Sequence, residues 1–126
     1  MVRNAVLLAM TVVLEGWSIS AIAAGQLKFI IDLPANAEQV TTIYQCEGLD
    51  DQFPVTYLNA PPNFLAIVPI DGKDIIMSST VAASGVRYVS GAYVWWTKGP
   101  ESKLIDAQAE EDSAPLLTCS EFNEIP

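Results

Sequence analysis

The 126-residue sequence contains no histidine. That absence removes the usual general base, the Ser-His and Cys-His nucleophile pairs and the commonest zinc ligand. Paired carboxylates remain as a route to hydrolysis, through glycoside chemistry. The acidic residues, however, fall at turns and in runs such as Glu110-Glu111-Asp112, the pattern of a solvated loop. No catalytic residue, metal ligand or cofactor site is assigned, and the chain reads as a non-enzyme. Positive charge is also scarce: 6 Lys and Arg against 15 Asp and Glu leave a net charge of -9. Such a surface repels nucleic acid and anionic lipid and speeds encounter with basic partners. A long apolar run is missing too, because Ala5 to Leu14 is broken at Glu15 and Gly16, well short of the ~20 residues a spanning helix needs.

That short run reads instead as the core of a secretory signal. Arg3 supplies the positive n-region, Ala5 to Leu14 the apolar h-region and Ala21-Ile22-Ala23 the cleavage signal, so residues 1–23 are expected to be a signal peptide. No Cys lies directly after the cleavage region, so the first mature residue offers no thiol for a lipid anchor and no membrane anchor is expected after cleavage. Removal of 1–23 takes Arg3 and Glu15 together and leaves the net charge unchanged. The two cysteines, Cys46 and Cys119, reach an oxidising compartment, where a disulfide is expected and one intramolecular pairing is possible. By chain entropy it contributes on the order of 4 kcal/mol, useful to a core this small.

Residues 24–39 form an N-terminal arm for which an added strand, a short helix and an extended segment all fit. From Val40 to the end, residues 40–126, short β-rich runs alternate with turn signals: VTTIYQC, FPVTYLN, FLAIVPI, KDIIMSS, VRYVS, AYVWWTK, SKLIDAQ and PLLTCSE. Tight turns between them exclude parallel pairing, which needs long crossovers. Eight antiparallel strands close best as a small barrel, without exposed edges and with a side-chain-filled interior; a sandwich is the alternative. Asp71-Gly72 signals a type I′ hairpin and Gly91 another. Pro54 and Pro69, lacking a donor, are expected at edges or bulges.

The informative segment runs from Ala82 to Leu104, AASGVRYVSGAYVWWTKGPESKL. A three-residue loop at Ser90 to Ala92 would pair Tyr88 with Val94, Val86 with Trp96 and Ser84 with Lys98; a two-residue loop shifts every partner by one. In both registers a hydroxyl and an ammonium are neighbours at the hairpin end remote from Gly91, flanked by Gly85 and Gly99. Trp95 and Trp96 must point to opposite faces, one inward and one outward or against a loop.

With Tyr44-x-Cys46, SGVRY from Ser84 to Tyr88, YVWWTKG from Tyr93 to Gly99, Leu104 and the late Cys119, the chain resembles the membrane-bound and periplasmic inhibitors of c-type lysozyme. The resemblance covers Val40 to Glu121 and implies an eight-stranded antiparallel barrel with one disulfide. It also implies a protein partner, c-type lysozyme, whose catalytic carboxyls are blocked by Ser84 and Lys98 so that bacterial peptidoglycan is protected. Gly85, Arg87, Tyr88 and Gly99 complete the implied binding set, with Tyr88 equally suited to packing in the barrel wall. Alanine is frequent in that family where this chain has Ser102. The missing lipid-accepting Cys resembles the periplasmic branch, and a homodimer is compatible with it. An apolar-ligand carrier is the competing reading, and it requires an open lumen.

Overall fold

The computed structural model describes residues 28 and 30–123. The expected signal peptide, and most of residues 24–30, lie outside the described residues. Residues 31–37 hold a turn closed by the Ala37 N–H on the Pro34 carbonyl, 2.9 Å, and strand pairing begins at Glu38, two residues before the expected boundary.

Eight strands follow in order: β1 Glu38–Cys46, β2 Phe53–Ala60, β3 Asn63–Ile70, β4 Lys73–Thr80, β5 Val86–Ser90, β6 Tyr93–Lys98, β7 Glu101–Asp106 and β8 Leu117–Glu121. Each pairs antiparallel with the next, and β1 pairs with β8, so the sheet closes. The barrel is the all-β architecture expected; the sandwich is excluded. Alternation explains the closure: along β3, Ala66, Val68 and Ile70 are buried while Leu65, Ile67 and Pro69 face outward. The inward residues fill the lumen, with Trp95, Met77, Val55 and Val68 at zero exposure. Eight strands make a lumen that side chains can just fill, and these residues pack its centre, which counts against the carrier reading. Cys46 and Cys119 are directly opposed across the β1–β8 seam and are disulfide-bonded. The bond therefore joins the first strand to the last and locks the ring at its point of closure.

Turn chemistry fits the register. Asp71 and Gly72 both have positive φ, 49° and 72°, as a two-residue type I′ turn demands. The prolines need a correction, since a closed barrel has no edge strand for them. The β2–β3 ladder stops at Thr56↔Ile67, and continuing that register would put Pro54 opposite Pro69. Each keeps a partner on its other side, Ile43 for Pro54 and Asp74 for Pro69. Two residues without N–H thus face each other where the ladder opens, the equivalent of a local edge.

Candidate functional site

The connections alternate between the two ends of the barrel. One end carries Pro61-Pro62, the β4–β5 loop at residues 81–85 and Gly99-Pro100; the other carries residues 47–52, 71–72, 91–92 and 107–116. Ser84 and Lys98 both lie at the first end and both are exposed.

Their relation differs from the three-residue-loop expectation. The hairpin turns on two residues, Gly91-Ala92, with Ser90↔Tyr93, Val89↔Val94, Tyr88↔Trp95 and Val86↔Thr97 as partners. Gly91 takes positive φ at the first central position, where a two-residue type II′ loop places glycine. The shift leaves Ser84 out of the ladder. Its place is set instead by Gly85, whose φ of 66° and close approach to the Thr97 carbonyl admit no Cβ, and by Trp96, whose Nε1–H donates to the Ser84 carbonyl at 2.9 Å. Serine and lysine therefore share one end of the barrel, with the serine loop held there by the Trp96 hydrogen bond and the Gly85 crossing rather than by ladder pairing.

Lys98 ends β6. Gly99, φ 60°, and Pro100 return the chain so that Lys98 pairs with Glu101. Glycine followed by proline suits the type II′ loop, the second residue having a fixed negative φ. The Glu121 N–H donates to the Pro100 carbonyl, 2.8 Å, which braces this turn against β8. Arg87 lies on the outer wall with its guanidinium over the Trp96 ring, 5.7 Å from the centroid. This is a cation–π arrangement that stiffens the indole.

Tyr88 points inward at 6% exposure and packs on Tyr57, ring centroids 5.5 Å apart, the packing role of its two alternatives. Behind it the lumen holds a polar network: Trp95 Nε1–H donates to the Tyr57 hydroxyl, 2.8 Å, and that oxygen shares a hydrogen bond with the Tyr44 hydroxyl, 2.8 Å. Burial pushes the Tyr57 phenol far above the usual tyrosine range, outweighing the indole N–H that favours its anion. Tyr88 is raised for the same first reason, with the Tyr44 charge second. Tyr44, Tyr57, Tyr88, Thr97, Gly99 and Glu121 are among the residues around a concavity of about 250 Å³ at the same end as Ser84 and Lys98.

The arrangement offers one exposed ammonium and one exposed hydroxyl at the same barrel end. Among the described residues no cluster of three or more His, Cys, Asp or Glu can hold a metal. The adjacent tryptophans leave either ring free to lean on a loop; Trp96 is the one that does, and the loop is the serine-bearing one, a contact between residues 12 apart. A larger concavity, about 680 Å³, opens at the opposite end between Phe53, Pro54, Pro69 and Leu116, and none of the site residues line it.

The sequence profile of the family described as "Membrane-bound lysozyme-inhibitor of c-type lysozyme" matches residues 44–113. A membrane-bound lysozyme inhibitor of C-type lysozyme from Cupriavidus necator is 49% identical over 74 residues, 59% of this chain and 58% of that protein. The chain thus spans under two thirds of that relative's length. One of the same name from Pseudomonas aeruginosa is 38% identical over 92 residues, 71% of this chain and 72% of that protein. Among solved structures, P. aeruginosa MliC in complex with hen egg white lysozyme superimposes with TM-score 0.62 at 32% identity, covering 79% of this chain and all of that one. The periplasmic lysozyme inhibitor PliC of Salmonella typhimurium gives TM-score 0.57 at 29% identity, over 68% of this chain and 100% of that one.

Proposed function

Because the chain belongs to the family of membrane-bound lysozyme inhibitors of c-type lysozyme, we propose that it inhibits c-type lysozyme in the periplasm by presenting Ser84 and Lys98 to the enzyme's catalytic carboxyls. The observation that carries this reading is that an exposed serine and an exposed lysine lie at the same barrel end, each next to a glycine of positive φ. The pair suits lysozyme chemistry, in which one carboxyl has its pKa raised to about 6 and acts as the acid while the other stays ionised. A fixed cation matches the permanent anion. A hydroxyl donates or accepts, and so tolerates a carboxyl in either protonation state. At 4 Å and an effective dielectric of 20 the ion pair is worth ~4 kcal/mol before desolvation, which offsets much of it.

Gly85 and Gly99 set the two turns, Arg87 stacks on the Trp96 ring that bonds the serine loop, and Tyr88 packs on Tyr57 in the lumen. The test is titration of a cell-wall suspension undergoing lysis by purified lysozyme. Lys98→Ala should weaken inhibition by roughly 2 to 5 kcal/mol, since it leaves a buried carboxylate without its cation. Ser84→Ala should cost about 1 to 3 kcal/mol, the range for stranding a neutral partner in a desolvated contact. Both side chains are exposed in the free protein, so melting should stay near wild type. Two folded variants that inhibit as wild type does would overturn the proposal.

A further inference from the structure

Ser84 sits in a segment with little packing of its own: residues 83–86 are all exposed. An unanchored loop would surrender backbone and side-chain freedom on docking, and affinity is gained by removing that freedom beforehand. The structure supplies an anchor from the neighbouring strand. Trp96 Nε1–H reaches the Ser84 carbonyl at 2.9 Å, and the ring is held in turn by the Arg87 guanidinium. The backbone of Gly85 runs so close beneath that an added Cβ would lie 3.0 Å from the same indole nitrogen. Trp96 also shares the outer face of β6 with Lys98, two residues on, and both border a concavity of about 200 Å³.

We infer that Trp96 is a positioning residue for Ser84: its indole N–H, aimed by the Arg87 stack, fixes the serine loop in its docking geometry before the partner arrives. The inference rests on the reading that Ser84 engages the partner. Tryptophan suits this role because its N–H is rigid in the ring plane and the side chain has two torsions to fix. Phenylalanine keeps a ring for Arg87 and lacks the donor.

The test is Trp96→Phe with two readouts. In the free protein, amide ¹⁵N relaxation at Ser84 and Gly85 should move from rigid-backbone order parameters, about 0.85, towards the flexible range below about 0.6, with the barrel strands unchanged. Unchanged order at those two amides would overturn the inference. In the lysozyme assay, Trp96→Phe should weaken inhibition five- to twenty-fold in the wild-type background and less than two-fold in Ser84→Ala, whereas the factor should persist in Lys98→Ala. Equal losses in the wild-type and Ser84→Ala backgrounds would mean that Trp96 touches the partner itself, and would also overturn it. Trp96→Leu, which removes the ring as well, should match Trp96→Phe if the N–H is what acts; a much larger loss assigns the effect to the ring and refutes the mechanism. If Ser84→Ala alone inhibits as wild type does, the docking reading fails on its own account, and the relaxation measurement still decides whether Trp96 orders the loop.

Discussion

Gly85→Ala probes the β4–β5 loop most directly. Three costs are readable from the structure. An alanine at φ 66° sits in the left-handed region, at roughly 1 to 2 kcal/mol. Its Cβ would fall well inside contact distance of the Thr97 carbonyl oxygen, where carbon and oxygen normally approach to about 3.3 Å, so the chain must move. That movement lengthens the Trp96–Ser84 hydrogen bond, about 0.5 to 1.5 kcal/mol more. Because the segment is exposed and precedes the first β5–β6 pair, Val86↔Thr97, the strain is relieved by displacing residues 84–85 outward and the barrel stays intact. The expected result is a loss of about 1.5 to 3.5 kcal/mol in stability, with the melting midpoint falling by about 4 to 8 °C per kcal/mol, and inhibition weakened at least ten-fold. The control is Gly72→Ala at the opposite end, where φ is also positive but nothing lies within 4 Å of the added Cβ. It bears the φ strain alone and should inhibit as wild type does. Thermal melting and lysis titration of the two variants side by side decide the matter. Wild-type inhibition by a folded Gly85→Ala protein would refute the link between the loop geometry and function.

Three further outcomes are expected. Ser102, 1% exposed, has a hydroxyl with no hydrogen-bond partner; Ser102→Ala should therefore stabilise by about 1 kcal/mol, and a lower melting midpoint would show that the hydroxyl is satisfied in solution. With a net charge of -9, association with a basic lysozyme should be steered, so the on-rate measured by stopped flow should fall as salt rises while the off-rate changes little; an on-rate flat between low and physiological salt would contradict steering. Tyr57 and Tyr88 have folded-state pKa values raised by burial, so the stability they contribute is fully present below the unfolded value of about 10 and is lost as pH climbs from there towards the folded values. Urea unfolding at a series of alkaline pH values should show a decline that Tyr57→Phe reduces; a decline equally steep in that variant would assign it to other groups.

The strands were legible because two signals coincided: short runs rich in β-branched, aromatic and other apolar residues, and glycine, proline or aspartate at the joints between them. Asp71-Gly72 shows how strong the second signal is, since both residues adopt the positive φ that the dipeptide predicts. The Ser90-Gly91-Ala92 joint shows its limit. Two- and three-residue loops share those residues, and the choice between them moves every β5 partner by one position along β6. Local sequence therefore located the serine and the lysine at one end of the barrel but left their relation open. The proline expectation holds only in part for a related reason: the donor rule is met where the β2–β3 ladder opens, but whether β2 and β3 have true edges depends on the β1–β8 closure, a contact between the ends of the fold.

The same division explains why the decisive support for Ser84 lay out of reach. Trp95 and Trp96 differ in the sequence only by parity, and parity fixes that one faces in and the other out without saying which. Once the two-residue turn pairs Tyr88 with Trp95, both rings are committed to the lumen, where Trp95 meets Tyr44 at 5.3 Å edge-on and donates to Tyr57. Trp96 is then outward by necessity, beside Arg87 and within reach of the Ser84 carbonyl. A three-residue turn would have reversed these assignments and left the serine loop without its donor. The length of one turn, at the end of the barrel that takes no part in the proposed docking, thus sets which indole is free to order the loop at the end that does.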